Sequence, residues 1–287
     1  MADRASAQAA VDPRLTPARP DLAAKHLTGR VQAARFVEGE EREVIEPLAP
    51  LRRTPSPDAT LDTEALKGER VTVYEIEEGW AWGQLASDGY VGFLPAGALG
   101  SPGAAPTHKV ASLRTLVFPG PSIKLSPLEA LPFGARIAIA RTEPPFAVTA
   151  SGGYVAARHL TPLDVNEIDL VAVAERFLGA PYLWGGKTSL GIDCSGLVQV
   201  AMTACGIACP RDADLQERTL GEPLPIELHT LRRGDLLFWP GHVAVVRDAD
   251  TLIHANGFHM AVALEPIMEA VARNRAAESE ISSIRRI

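Results

Sequence analysis

Cysteine is scarce in this chain: three in 287 residues, at positions 194, 205 and 209. An odd set crowded into one short stretch cannot build a disulfide framework, which excludes the small stapled secreted scaffold and suits a reducing compartment. Long apolar runs are also missing. None approaches the ~18–20 residues that a membrane-spanning helix needs. No Lys/Arg-rich block is present, and 28 basic against 35 acidic residues leave a net charge of −7. That balance argues against nucleic acid or an anionic membrane surface as partner. A secretory leader needs an uninterrupted apolar core. Between Met1 and Arg35 charges and prolines break every apolar stretch, so the expected location is the cytoplasm.

What is present is an ordinary globular composition, 46% hydrophobic and 22% charged, together with 24 Gly and 23 Pro. The length suits two or three domains at about 100–200 residues each or fewer. Gly100–Pro106 and Thr161–Val165 read as linkers. Between Pro57 and Leu160 lie two segments of short alternating strands, Arg70–Ile76, Glu78–Gln84 and Gly89–Pro95, then Arg136–Ala140, Phe146–Thr149 and Gly153–Val155. Short strands joined by Gly/Pro turns predict small barrels. The repeated order resembles a pair of bacterial SH3-like domains. The last third changes character. Asn166 is expected to cap a helix reaching Phe177, and a second helix starts near Cys194 and stops at Gly206. A third follows at Ala213–Leu220, then strands at Asp235–Trp239, Val243–Arg247 and Thr251–His254. Helices followed by strands predict an α+β domain.

Cys194 falls in the first turn of the second helix, where unpaired N–H groups and the helix dipole favour a thiolate. Cys205 and Cys209 lie at a helix end and in an apolar run, which suits structural cysteines. A thiolate nucleophile also needs a base and an orienting group. His242 opens one strand and His254 closes the next. A hairpin centred near residue 248 brings the two rings together. His254 and His259 are five apart across a glycine loop, a spacing that fits no zinc pattern, so no metal or other cofactor is expected.

Five blocks now stand in order: Asp193-Cys-Ser-Gly-Leu-Val198, Pro210-Arg-Asp-Ala213, Arg233-Gly-Asp-Leu-Leu-Phe238, Gly241-His-Val-Ala244 and His254-Ala255, preceded by Gly179-Ala-Pro-Tyr-Leu-Trp-Gly-Gly186. Over residues 165–287 they resemble the NlpC/P60 family of papain-like bacterial cysteine peptidases that cut peptidoglycan peptides. The resemblance implies an α+β papain-like catalytic domain preceded by two small all-β SH3-like barrels. The boundaries are an extension at 1–40, barrels at 41–103 and 104–163, and the peptidase at 164–287. It implies Cys194 as nucleophile, His242 as base and then acid, and His254 as the residue orienting His242.

A subgroup of that family pairs SH3-like domains with the peptidase and acts on free murein peptides carrying an unblocked N-terminal L-alanine. Gly89-Tyr90-Val-Gly-Phe-Leu-Pro95 resembles its amine-holding segment, which assigns Tyr90 to the substrate. Tyr182, Trp184, Asp193, Ser195 and Ala213 match its pocket, and Glu64 is the acid expected from the first barrel. The expected activity is hydrolysis of the γ-D-glutamyl–diamino acid bond in L-Ala-γ-D-Glu-diamino acid peptides. An exported wall-remodelling hydrolase and an inactive wall-peptide binder are the alternatives. The intact Cys194, His242 and His254 set speaks against the last.

Overall fold

The computed structural model describes residues 12–287; residues 1–11 of the expected extension lie outside them. The extension from Asp12 to Val37 runs over the first barrel. Leu15 packs against that barrel's core, and Arg19 stacks its guanidinium 4.4 Å from the Trp82 ring. Leu22–Ala24 and Arg35–Val37 pair in parallel beside them.

The first barrel is a seven-stranded sheet in the order Leu61–Leu66, Leu48–Arg52, Val91–Pro95, Trp80–Leu85, Arg70–Glu77, Glu40–Val44 and Leu99–Gly100. The alternation seen in the sequence delivers its core. Val71, Val73, Ala81, Leu85 and Leu94 all point inward and are buried. Gly92 shows how tightly the sheet closes. A Cβ there would lie 2.2 Å from Leu51 Cδ2 and 2.9 Å from the Arg52 carbonyl oxygen.

The second barrel joins a five-stranded sheet (Arg114–Phe118, Glu129–Pro132, Ile139–Glu143, Phe146–Thr149 and Tyr154–Ala156) to a three-stranded one. The stretch read as the linker Thr161–Val165 begins inside that small sheet. Leu160–Pro162 is a strand, pairing with His108–Val110.

The last domain carries a six-stranded sheet in the order Glu222–Leu224, Ser283–Arg286, Leu236–Trp239, His242–Val246, Thr251–Asn256 and Ala261–Pro266. Helix α1 (Leu170–Glu175) and helix α2 (Cys194–Ala204) pack on one face, with Leu197, Ala201 and Met202 against Phe238, Val245 and Ile253. Helix α3 (Ala213–Thr219) follows α2. Helix α4 (Ile267–Ala276) covers the other face, with Ile267 and Val271 over Ala244, Val246 and Leu252. Coverage on both faces makes the central strands Leu236–Trp239 and His242–Val246 apolar at nearly every position.

Helix α1 is shorter than expected and is capped by Asp169, whose Oδ1 accepts from the Val171 and Ala172 N–H groups. Asn166 instead accepts a hydrogen bond from Lys109 Nζ at 3.1 Å. An aspartate beside the first helical turn outcompetes an asparagine three residues further out.

Candidate active site

The turn before α2 is built around Asp193. Its Oδ1 accepts from the Gly196 N–H at 2.7 Å, which caps the helix, and from Arg211 Nη1 at 2.9 Å. Its Oδ2 accepts from the Gly185 N–H and from Arg211 Nη2, both at 2.7 Å. Gly185 adopts φ +78°, and a Cβ there would lie 2.5 Å from the Leu61 carbonyl oxygen of the first barrel. The glycine therefore lets the barrel and the nucleophile's turn approach each other.

Arg211 is fully buried and also reaches Thr63 of the barrel through Nε at 2.9 Å. Asp193 was expected to bind substrate. Its acceptor positions are filled by the protein, so it positions the nucleophile instead. Ser195, also expected at the substrate, is buried, with Oγ accepting from Arg211 Nη1 at 2.9 Å and donating to Asp193 Oδ1 at 3.3 Å.

Cys194 opens α2 and is 6% exposed. Its thiol lies against the N–H groups of Ser195 and of Val243, the neighbour of His242. Burial pushes the thiol up to about 12, and the Asp193 carboxylate adds to that. The sequence reading favoured a thiolate from the helix dipole. Desolvation works against that dipole here and favours the neutral thiol at rest.

Antiparallel pairing sets Val245 opposite Ile253 and Val246 opposite Leu252. The hairpin centre is therefore one position beyond 248, and His242 and His254 are diagonal rather than direct neighbours. The diagonal is short enough for long side chains to meet. The ring centroids are 5.2 Å apart, and His242 Nε2 lies 3.0 Å from His254 Nδ1. The next strand repeats the pattern: His254 pairs with Ala263, and Glu265, two residues along, brings Oε2 to 2.9 Å from His254 Nε2. Arg273 of α4 donates to both Glu265 oxygens, at 3.0 and 2.8 Å.

This chain of partners assigns the protons. Glu265 is held ionised by Arg273, with its pKa lowered, so His254 Nε2 donates to it. His254 Nδ1 is then an acceptor, and His242 Nε2 must be the donor. His242 Nδ1 is left with a free lone pair, the form a general base needs. Burial holds both rings neutral, lowering His242 to about 3 and His254 to about 4, while Glu265 opposes both shifts. Glu265 and Arg273 were absent from the sequence reading. The signal available was an acid placed diagonally from His254 once the register of the last hairpin is known.

Next to Arg211 in the chain lies a contact between barrel and peptidase. Tyr90, 3% exposed, donates its hydroxyl to Asp212 Oδ2 at 3.1 Å. Burial raises the Tyr90 phenol pKa, and the carboxylates of Asp212 and Asp62 add to the rise. Asp62 is gripped by Arg53 at 2.7 Å. Glu64, expected as the barrel's acid, is buried, and its Oε2 accepts the Lys187 N–H at 2.9 Å. It braces the two domains, and Asp62, two residues earlier on the same strand, is the barrel carboxylate facing Tyr90. Asp212 was not among the expected site residues, although it stands in the quoted block Pro210–Ala213, directly before Ala213.

Ala213 is buried at the start of α3. Tyr182 is half-buried, and that burial raises its phenol pKa. Trp184 is 61% exposed and so is not a core residue. His254, His259 and Glu265 bring ligand atoms within 4.8 Å of one another, a cluster that spacing along the chain concealed. Arg273 already neutralises that carboxylate. A cavity of about 650 Å³ lies elsewhere, between both barrels and the Gln199–Ala204 half of α2.

A thiol at a helix start beside a histidine relay, behind two SH3-like barrels, defines a papain-like peptidase architecture. Residues 179–279 match the NlpC/P60 family, and residues 51–99 match the bacterial dipeptidyl-peptidase SH3 domain. The chain therefore carries an NlpC/P60 domain behind a bacterial SH3 domain.

Dipeptidyl-peptidase 6 of Lysinibacillus sphaericus is 42% identical over 89 residues, covering 31% of this chain and 32% of that protein. The gamma-D-glutamyl-L-lysine dipeptidyl-peptidase of Bacillus cereus is 26% identical over 239 residues, covering 72% of this chain and 71% of that protein. The crystal structure of an NlpC/P60 family protein from Bacillus cereus superposes with a TM-score of 0.73 at 21% identity, over 86% of this chain and 99% of that one. This last likeness shows the shared fold.

Proposed function

We propose that this protein is a cysteine endopeptidase cutting the γ-D-glutamyl–diamino acid bond of free murein peptides whose N-terminal L-alanine is unblocked. The observation that carries the reading is the Tyr90–Asp212 hydrogen bond across the domain boundary, with Asp62 as the second carboxylate facing Tyr90. An ammonium leaving water needs acceptors and negative charge. A carboxylate one residue from the Arg211–Asp193 turn supplies both close to the nucleophile. A chain whose alanine is amide-linked to sugar lacks that charge.

Catalysis then runs on the relay. The substrate carbonyl meets the Cys194 thiol, whose proton passes to His242 Nδ1 as the sulfur attacks. The imidazolium formed is stabilised through His254 by the Glu265 carboxylate. The Cys194 N–H, at the helix start, is placed to serve the developing oxyanion. His242 next protonates the leaving amine, and water, deprotonated by the same ring, releases the acyl group from sulfur.

Restriction to free peptides suits a recycling enzyme of the cytoplasm. The test is Cys194→Ala with a free L-Ala-γ-D-Glu-diaminopimelate tripeptide, its products followed by mass spectrometry. The variant should fold as the parent does and release no L-Ala-D-Glu. Release at the parent's rate would eliminate the cysteine mechanism.

A further inference from the structure

Asp212 has a second partner that comes from neither the barrel's sheet nor the peptidase. Arg14, in the extension ahead of the first barrel, donates Nη1 to Asp212 Oδ2 at 2.8 Å. The extension is fastened at this point. The Arg14 carbonyl accepts the Val91 N–H at 2.8 Å, directly beside Tyr90, and the Leu15 carbonyl accepts from Gln84 Nε2 at 2.9 Å. The guanidinium is further fixed by Asp12, through Nε at 3.0 Å and Nη2 at 2.7 Å, and by Asp214, at 2.7 and 2.9 Å.

We infer that Arg14 is a positioning residue of the amine site, orienting the Asp212 carboxylate for the substrate's ammonium without consuming its charge. The inference rests on the reading of Tyr90 and Asp212 given above.

Two observations support it. The first is charge. Asp12 and Asp214 face Arg14, and Asp214 also pairs with Arg218. Asp212 pairs with Arg14 as well, so three carboxylates meet two guanidiniums and the cluster keeps one net negative charge. Arg211, the neighbouring cation, is paired with Asp193. The second is direction. The hydrogen bonds from Arg14 and from Tyr90 both end on Oδ2. Two donors on one oxygen fix the plane of the carboxylate and leave Oδ1 as the acceptor for an incoming ammonium. Burial raises the Asp212 pKa, and Arg14 is among the groups that oppose the rise, so the same contact helps keep the carboxylate ionised. The planar guanidinium spends five hydrogen bonds on three carboxylates, two of them bidentate, where a lysine ammonium has three donors and no fork.

The test uses the full chain with two substrates, the free tripeptide and its N-acetylated twin. One charge-assisted hydrogen bond is worth about 1.5–3 kcal/mol, so its loss from the site predicts roughly a tenfold or larger rise in KM. Arg14→Ala should raise KM for the free peptide by about that factor with kcat within about twofold, and leave the slow cleavage of the acetylated peptide unchanged. Arg14→Lys, which keeps the charge and the fastened backbone, should recover part of the loss and guards against a folding failure of the alanine variant.

An equal fall in kcat/KM on both peptides would make Arg14 a merely structural clamp and overturn the inference. A fall in KM for the free peptide would overturn it too, by making Arg14 a competitor of the ammonium. If the parent enzyme itself cuts both peptides equally, the amine reading fails first, and the role of Arg14 falls with it.

Discussion

Glu265→Gln isolates the far end of the relay. The substitution keeps shape and volume, and the amide can place its oxygen where Oε2 now accepts from His254 Nε2 at 2.9 Å and Arg273 Nη2 at 2.8 Å, giving up the 3.0 Å bond from Arg273 Nε to Oε1, where its NH2 then stands. The tautomers of both histidines are then retained. What is lost is the negative charge that meets the imidazolium when the thiol's proton arrives on His242. A hydrogen bond to a charged partner contributes about 1–2 kcal/mol more than a neutral one. Carried to the transition state, that is roughly a 5–30-fold fall in kcat. Glu265 also raises the basicity of both rings, so its removal weakens the base in the same direction. Steady-state hydrolysis of the free tripeptide gives kcat and KM, and a thermal melt of the same preparation reports folding. A kcat within twofold of the parent in a variant with normal melting would refute the reasoning.

Other consequences are open to direct measurement. With the Cys194 thiol pushed up to about 12, thiolate absorbance assignable to Cys194, by difference from Cys194→Ala, should be negligible at neutral pH. A full thiolate signal there would mean a resting ion pair. His242 and His254 are lowered from the ordinary 6.5 to about 3 and about 4. The unfolded chain therefore binds more protons in that window, and stability should fall as pH drops from about 6.5 toward 4. His254→Asn should flatten that slope, and an unchanged slope would count against burial of neutral rings. Arg211→Met leaves Asp193 buried without its partner, which predicts a loss of about 3–5 kcal/mol in denaturant unfolding. A loss under about 1 kcal/mol would return Asp193 to the list of substrate ligands.

The parts of this molecule that follow short-range rules were legible from the residues. The period-two alternation of Arg70–Ile76 predicted the strand found there, and the helical spacing after Cys194 predicted the start of α2. What escaped was set by register and by domain contact. A shift of one position in the hairpin centre separates a direct His242–His254 pair from the diagonal one. Glu265 joins the relay only through the following strand pair. Glu64 and Asp62 lie two residues apart on one strand, and only the approach of the peptidase decides which braces Lys187 and which faces Tyr90. The state of the Cys194 thiol likewise depended on burial, to which a helix-start motif is blind.

The most direct test of the central claim compares the free L-Ala-γ-D-Glu-diaminopimelate peptide with its N-acetylated form under matched conditions. Products are resolved by mass spectrometry, with Tyr90→Phe run in parallel. The account predicts release of L-Ala-D-Glu from the free peptide and strongly slowed cleavage of the blocked one. It also predicts a KM roughly tenfold higher for Tyr90→Phe, from loss of its hydrogen bond to a carboxylate. Equal cleavage of both peptides by the parent would contradict it.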